Sequence, residues 1–262
     1  MDFEVFFNFI KNKDLLKEKI KGIKETPKIN LKNVWKNYLP REKGDCCVAI
    51  DGSYNYLKFR SMIFYVINIS SVFYYNDEKI ETKSFPEFNV TEDFLFFEDV
   101  LRSEMINREL EIASNLCKDF NVMIDGSLNS FLNFITKDKR KEILSKFEST
   151  NKLVFSISKT PIKKIDESIE MGFSDMFEKY KENNIVSFFF KLREDSLTFK
   201  VETFEKNKNK IEEIVSLIRF FEFRGYPYLL IKAHRKAKIT NKDMEKFANI
   251  LEIKEKTGRE IL

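Results

Sequence analysis

Cys46-Cys47-Val48-Ala49-Ile50-Asp51-Gly52-Ser53 is a short apolar run that meets an acid and then a glycine. The run is too short for a helix and is bounded by turn-forming residues, so it reads as a buried strand with Asp51 at its end. Gly52 allows either a tight turn or a close approach of another group to the backbone. The same pattern recurs as Asn121-Val122-Met123-Ile124-Asp125-Gly126-Ser127. Two apolar strands that each finish in Asp-Gly-Ser bring two carboxylates to the same edge of one sheet.

Between the two strands the sequence supplies a meander and a helix. Residues 60–75 are rich in β-branched and aromatic types and read as one or two long strands. Asn76-Asp77-Glu78 reads as a turn, and Lys79–Phe85 as a further strand. A helix is predicted over Glu98–Phe120. At about 100° per residue, Met105, Ile106, Leu110, Ile112, Ala113, Leu116 and Cys117 share one face. Glu109 falls near the middle of that face, while Glu104 and Glu111 point toward solvent. An acid in an apolar stripe is costly unless it is neutralised, either by a metal ion or by Arg102 on the same side. Glu109 is thus the preferred helix-borne acid, with Glu104 second.

Working outward, residues 2–24 and Leu31–Tyr38 are predicted helices, broken by Thr26-Pro27 and ended by Pro40. Beyond the second Asp-Gly-Ser, Leu128–Phe147 reads as helix, with the exposed charge run Lys137–Lys141. Lys152–Ser158 reads as strand and Ile162–Tyr180 as helix. Ile185–Lys191 and Ser196–Phe204 form a hairpin in this reading, Ile211–Phe223 a helix, and Asn241–Ile250 a last helix. The division expected is an N-terminal helical segment over 1–44, one α/β domain over 45–251, and a charged tail over 252–262.

Composition bounds the function. The chain has 262 residues, 43% of them hydrophobic, enough for one large core or two modest ones. Its net charge is only +4, but Lys and Arg cluster in 137–141 and 224–242, which allows a nucleic-acid partner without requiring one. Three cysteines give neither a disulfide framework nor a zinc spacing, and no signal peptide or membrane span is visible, so a cytoplasmic location is expected. A phosphate-binding P-loop and the dinucleotide-binding glycine pattern are both absent. Ser53 or Ser127 with His234 has the residue types of a serine hydrolase, but neither serine stands in a Gly-x-Ser-x-Gly elbow.

Strand with Asp, antiparallel meander, helix with Glu, strand with Asp is the element order of the ribonuclease-H-like α/β fold. In that arrangement Asp51, Glu109 and Asp125 converge. Hard carboxylate ligands suit Mg²⁺ or Mn²⁺, and two such ions about 3.5–4 Å apart serve in-line phosphodiester cleavage. His234, the single histidine of the chain, lies among Tyr226, Lys232 and Arg235. An imidazole there can ligate Mn²⁺ or, when protonated, donate to a phosphate. Lys159, just after a strand, is an ordinary surface lysine or a phosphate contact.

Val48-Ala49-Ile50-Asp51-Gly52-Ser53, Ile124-Asp125-Gly126-Ser127-Leu128 and Tyr226-Pro227 followed by Ala233-His234 and Ala237 resemble the NurA nuclease motifs, in that family's order. The resemblance spans about residues 45–240. It implies a Mn²⁺-dependent, two-ion DNA nuclease of largely archaeal distribution, with single-strand endonuclease and 5′→3′ exonuclease activity. It also implies a homodimer that works with the hexameric translocase HerA in DNA end resection and double-strand break repair. On this resemblance Asp51, Glu109 and Asp125 are the acidic ligands, and Tyr226 and His234 complete the site. Lys159, Arg224, Lys232 and Arg235 are expected to contact nucleic acid. A non-catalytic nucleic-acid-binding or assembly protein with the same fold, and an RNA-directed nuclease, are the alternatives.

Overall fold

The computed structural model describes residues 10–15, 17–18, 35–37, 45–59, 62–76, 78–92, 95–159, 170–175 and 178–252. The strands are β1 (Trp35–Lys36), β2 (Cys47–Phe59), β3 (Met62–Tyr74), β4 (Ile80–Glu92), β5 (Asn121–Asp125), β6 (Val154–Ser158), β7 (Gly172–Ser174), β8 (Glu178–Tyr180), β9 (Ile185–Lys191), β10 (Phe199–Phe204), β11 (Glu222–Phe223) and β12 (Tyr226–Pro227). The helices are α1 (Phe97–Leu116), α2 (Leu128–Phe134), α3 (Lys137–Ser149), α4 (Ile211–Phe220), α5 (Tyr228–Ala237) and α6 (Asn241–Ile250).

One mixed sheet organises these elements, in the order β1-β7-β9-β10-β6-β5-β2-β3-β4, with β8 paired to β9. The strands β2, β3 and β4 are the expected antiparallel meander. Strand β5 returns beside β2 in parallel, with Ile50 opposite Ile124, and β6 continues in parallel beyond it. This is the ribonuclease-H-like α/β arrangement.

Side chains alternate across a strand, and that alternation builds two layers. Val48, Ile50, Ile67, Ile69, Val122 and Ile124 pack against Leu101, Ile106 and Leu110 of α1 on one face. Cys47, Ala49, Val72, Met123, Phe155 and Val201 pack against α4 and α5 on the other. A smaller cluster, Phe59, Phe64 and Val66, lies under Met244 and Ala248 of α6. The helix α6 is held at its start by a capping box in which Thr240 and Asp243 satisfy each other's backbone N–H groups.

Several elements differ from the sequence reading. Strand β2 does not end at Asp51. It continues to Phe59, paired throughout with β3, so Asp51-Gly52-Ser53 lies mid-strand. The meander strand read as Lys79–Phe85 runs to Glu92, and its Pro86 is tolerated because β4 is an edge strand. The helix expected over 128–147 is two helices, because Ile135 and Thr136 are extended and Ile135 is buried in the core at the break. Gly172–Ser174 and Glu178–Tyr180 are strands rather than helix, drawn into pairing with β9. Trp35–Lys36 likewise pairs with β7 instead of forming helix. Residues 10–15 and 17–18 are helical, and the remainder of the predicted 2–24 helix, most of 31–38, 160–169 and the tail from 253 lie outside the described residues.

Gly52 is a point of close approach between β2 and α1. A Cβ there would lie 2.9 Å from Ile69 Cδ1, 3.0 Å from Met105 Cγ and 3.1 Å from Glu109 Oε2. Gly52 therefore serves close approach and not a turn. Gly52→Ala is expected to destabilise the protein by about 1–3 kcal/mol, the range for an over-packed core position. Chemical denaturation measures this, and a stability equal to wild type would mean that α1 moves away at no cost.

Candidate metal centre

Asp51 follows Ala49 on the face of β2 that α5 covers, and Asp125 ends the neighbouring parallel strand. The pairing Ile50–Ile124 puts the two acids side by side. His234, in the last turn of α5, brings Nδ1 to 2.8 Å from Asp51 Oδ2. Ligand atoms of Asp51, Asp125 and His234 all lie within 4.8 Å of one another, a spacing that suits a shared cation. The two carboxylate side chains are nearly buried, 11% and 10% exposed, whereas His234 is 57% exposed and forms the open side.

Tyr226 closes the other flank. Its hydroxyl donates to Asp125 Oδ1 at 3.1 Å, and its ring packs on Phe199. Lys159 pairs with Asp125 Oδ2 at 2.6 Å, and its ammonium sits 4.7 Å from the Tyr226 ring centre. Lys159 is thus part of the site and not a free surface lysine.

Glu109 reaches the same region from the opposite layer, through the space left by Gly52. It is 1% exposed, and its Oε1 has no hydrogen-bond partner among the described residues. It stands outside the 4.8 Å group of Asp51, Asp125 and His234. The alternative partner fails, because the Arg102 guanidinium lies over the Phe134 ring at 4.9 Å, on an exposed position. Glu104 and Glu111 are partly exposed, and Glu111 pairs with Lys139, as the helical phase predicts.

Electrostatics follow from this crowding. Burial, and then the Asp125 charge, push Asp51 up to about 6, against the opposing pull of His234 and Lys159. Burial, then Asp51 and Asp125, hold the Glu109 carboxyl well above its ordinary value. Burial, with Asp125 beside it, also raises the Tyr226 hydroxyl. Two buried acids, Asp51 and Glu109, each raised further by neighbouring carboxylates, mark a site short of positive charge, and a divalent cation fits it.

Among the described residues, the other sequence-predicted positions make no hydrogen bond or ion pair with these acids. Arg224 is exposed at the tip of the β11–β12 hairpin, over the Phe223 ring at 5.3 Å. Lys232 is half-buried and Arg235 exposed on α5.

Sequence reasoning missed Glu202. This 1% exposed acid on β10 accepts Ser127 Oγ at 3.0 Å and the Asn129 N–H at 2.9 Å, and it pairs with Lys200 at 2.7 Å. It thereby fixes the turn from Asp125 into α2, where Ser127 is the N-cap. Ser127 is committed to this turn and not to His234. The signal was available: Lys200 and Glu202 alternate with Val201 and Thr203 in an otherwise apolar strand.

The layers and the parallel acid-bearing strands define the class: an α/β protein of the ribonuclease-H-like nuclease fold. Comparisons narrow it further. The family model described as the NurA domain matches residues 142–239. The DNA double-strand break repair nuclease NurA of Sulfolobus acidocaldarius is 21% identical over an alignment of 300 residues that covers 90% of each chain. The crystal structure of the NurA nuclease from Sulfolobus solfataricus superposes with a TM-score of 0.71 at 17% identity, over 96% of each chain. A NurA crystal structure bound to dAMP and manganese gives 0.63 at 11% identity, over 97% of each chain. Over residues 142–239 in sequence, and over nearly its whole length in fold, the chain is similar to the NurA nucleases.

The raised acids carry a pH prediction for the metal-free protein. An acid whose pKa is higher folded than unfolded keeps its proton in the fold while the unfolded chain releases it. Stability is then fully present below the unfolded value and falls as pH rises toward the folded value. For Asp51 that window runs from 3.8 to about 6. For Glu109 it starts near 4.5 and extends upward. Glu109→Gln is expected to flatten the fall and to raise metal-free stability at pH 7.5 by about 1–3 kcal/mol, while changing little at pH 4.5. Thermal unfolding at the two pH values, with EDTA, reads this, and a Gln variant less stable than wild type at pH 7.5 would mean that the carboxylate has a partner.

Proposed function

We propose that this protein is a metal-dependent DNA nuclease, and that Asp51, Asp125 and His234 hold the metal with Glu109 as a further carboxylate. The observation that carries the reading is the convergence of Asp51, Asp125 and His234 within 4.8 Å, beside a buried, unpartnered Glu109. Oxygen donors with one imidazole suit Mn²⁺ or Mg²⁺, and a pair of ions is the occupancy proposed. Such an ion, when bound, supplies a Lewis acid for the phosphoryl oxygens and a hydroxide at neutral pH.

The protein's own groups have separable tasks in this reading. Asp51 and Asp125 orient the donor atoms, held by adjacent parallel strands. Tyr226 donates to Asp125 and keeps that carboxylate from rotating. Lys159, with an exposed ammonium stem beside Asp125, is placed to contact a phosphate when the cation replaces it on the acid. His234 stands at the open side, where a phosphate approaches, and either completes the ligand set or donates to the leaving oxygen. Arg224, Lys232 and Arg235 continue the positive rim along the incoming strand.

The S. acidocaldarius relative's name supports action in double-strand break repair. The finer proposal follows the resemblance: single-strand endonuclease and 5′→3′ exonuclease activity, a homodimer, a HerA-type hexameric translocase as partner, and a cytoplasmic location. Among the described residues no helix is long and apolar enough to cross a membrane.

Labelled single- and double-stranded DNA and RNA, each with Mn²⁺, Mg²⁺ or EDTA, test the reading. DNA cleavage that EDTA abolishes is expected. Asp51→Asn and Asp125→Asn are each expected to lower the rate by at least about 10³-fold. His234→Ala should lose cleavage while retaining DNA binding and its unfolding midpoint, with Tyr226→Phe milder. Cleavage by either Asn variant at a rate near wild type would show the site to be misassigned, and preferential cleavage of RNA would overturn the DNA reading.

A further inference from the structure

The hairpin β11–β12 precedes the site and carries an aromatic pair that the chemistry above does not use. Phe223 is 45% exposed and Tyr228 38% exposed, with their ring centres 5.9 Å apart at 73°. The Arg224 guanidinium covers the Phe223 ring at 5.3 Å. Phe223 pairs across the hairpin with Tyr226, whose hydroxyl is on Asp125. Directly opposed residues share a face with Cβ atoms about 4.5–5.5 Å apart. Phe223 therefore lies one cross-strand step from a residue that touches the acids.

The tip is rigid. Arg224 and Gly225 both have left-handed φ angles, 53° and 80°, as a two-residue type I′ turn requires. The Glu222 carboxylate accepts the Gly225 N–H at 2.7 Å, so the nearest acid is occupied within the turn. A Cβ at Gly225 would lie 2.8 Å from Ser196 Cβ, so the tip rests against the loop before β10. A non-glycine residue in left-handed backbone is held there by its surroundings, and here the result is an aromatic ring displayed at the rim of the site.

From this geometry we infer that Phe223, Arg224 and Tyr228 form a stacking platform for an unpaired nucleobase next to the scissile phosphate. The inference rests on the nuclease reading for the position of that phosphate. Exposed rings beside cations bind single strands because every base has a π-face and every nucleotide a phosphate. Lys159, paired with Asp125, supplies further positive charge at the acids. A base within a duplex has both faces covered by its neighbours, so the platform selects a strand that is single or has been opened.

The test uses the full chain, in EDTA, with a single-stranded thymidine oligomer that carries one 2-aminopurine. Wild type is expected to quench the fluorophore on binding. Phe223→Ala is expected to lose the quench and to weaken affinity on the order of tenfold, the loss of one base–aromatic stack. Phe223→Trp is expected to keep both. Circular dichroism confirms that each variant folds. Equal quenching and affinity in Phe223→Ala would overturn the platform, as would wild type that fails to bind the oligomer. A changed sedimentation coefficient in Phe223→Ala with unchanged DNA affinity would also overturn it, and would assign the rings to a contact between subunits. Failure of wild type to cleave DNA with Mn²⁺ is a separate result. It would refute the nuclease reading and leave the EDTA binding data to decide the platform.

Discussion

The missing side chain at Gly52 is the constraint on which the site depends. Acids on the two faces of a sheet are normally kept apart by the strand between them. Here Glu109 comes from the α1 layer, and Asp51 faces the α5 layer. The gap at Gly52 lets the Glu109 carboxylate sit against the backbone beside Asp51. The result is a buried cluster of like charges, which the fold tolerates only by keeping protons or by taking a cation. The metal-free fold is less stable than it would be with an apolar residue at position 109, and a bound ion would return that stability.

Around this cluster the structure supplies rigidity from elements with no chemistry of their own. Glu202 and Lys200 form a buried pair whose carboxylate also holds Ser127 and the start of α2. Asp125 occupies the last position of β5, where a strand end would otherwise fray. Gly126, with φ 125°, turns the chain, and its N–H is held by the Ile157 carbonyl at 2.9 Å. Tyr226 and Lys159 then restrict the carboxylate itself. A site preorganised in this way loses little on receiving a ligand.

The open side has a different character. His234 and the hairpin rings are exposed, and the basic residues of α5 stand beside them. Burial on the acid side raises affinity for a hard cation, while exposure on the imidazole side leaves a path for a polymeric anion. The division of labour follows from α5, which packs Leu229, Leu230 and Ala233 into the core and turns its polar edge toward the acids.

The sequence by itself determined the strand, meander, helix, strand order from β2 to β5 and the burial of Glu109, because both depend on local periodicity, whereas the parallel pairing of the two acid-bearing strands was expected only from the fold which that order matches. Motif resemblance pointed to Tyr226 and His234, and the fold brings both side chains against the two aspartates. Only the tertiary structure decided what each Asp-Gly-Ser does. The two motifs are the same in sequence, yet the first runs straight through a strand paired with β3 for its whole length, and the second turns into a helix capped by its own serine. Neighbouring strands and the N-cap contacts choose between those outcomes, and they come from distant parts of the chain. The same holds for Glu202, for Lys159 on Asp125 and for the strands formed by Trp35–Lys36 and Gly172–Ser174. Pairing across a sheet is a non-local interaction, and short segments take the conformation that their partners impose.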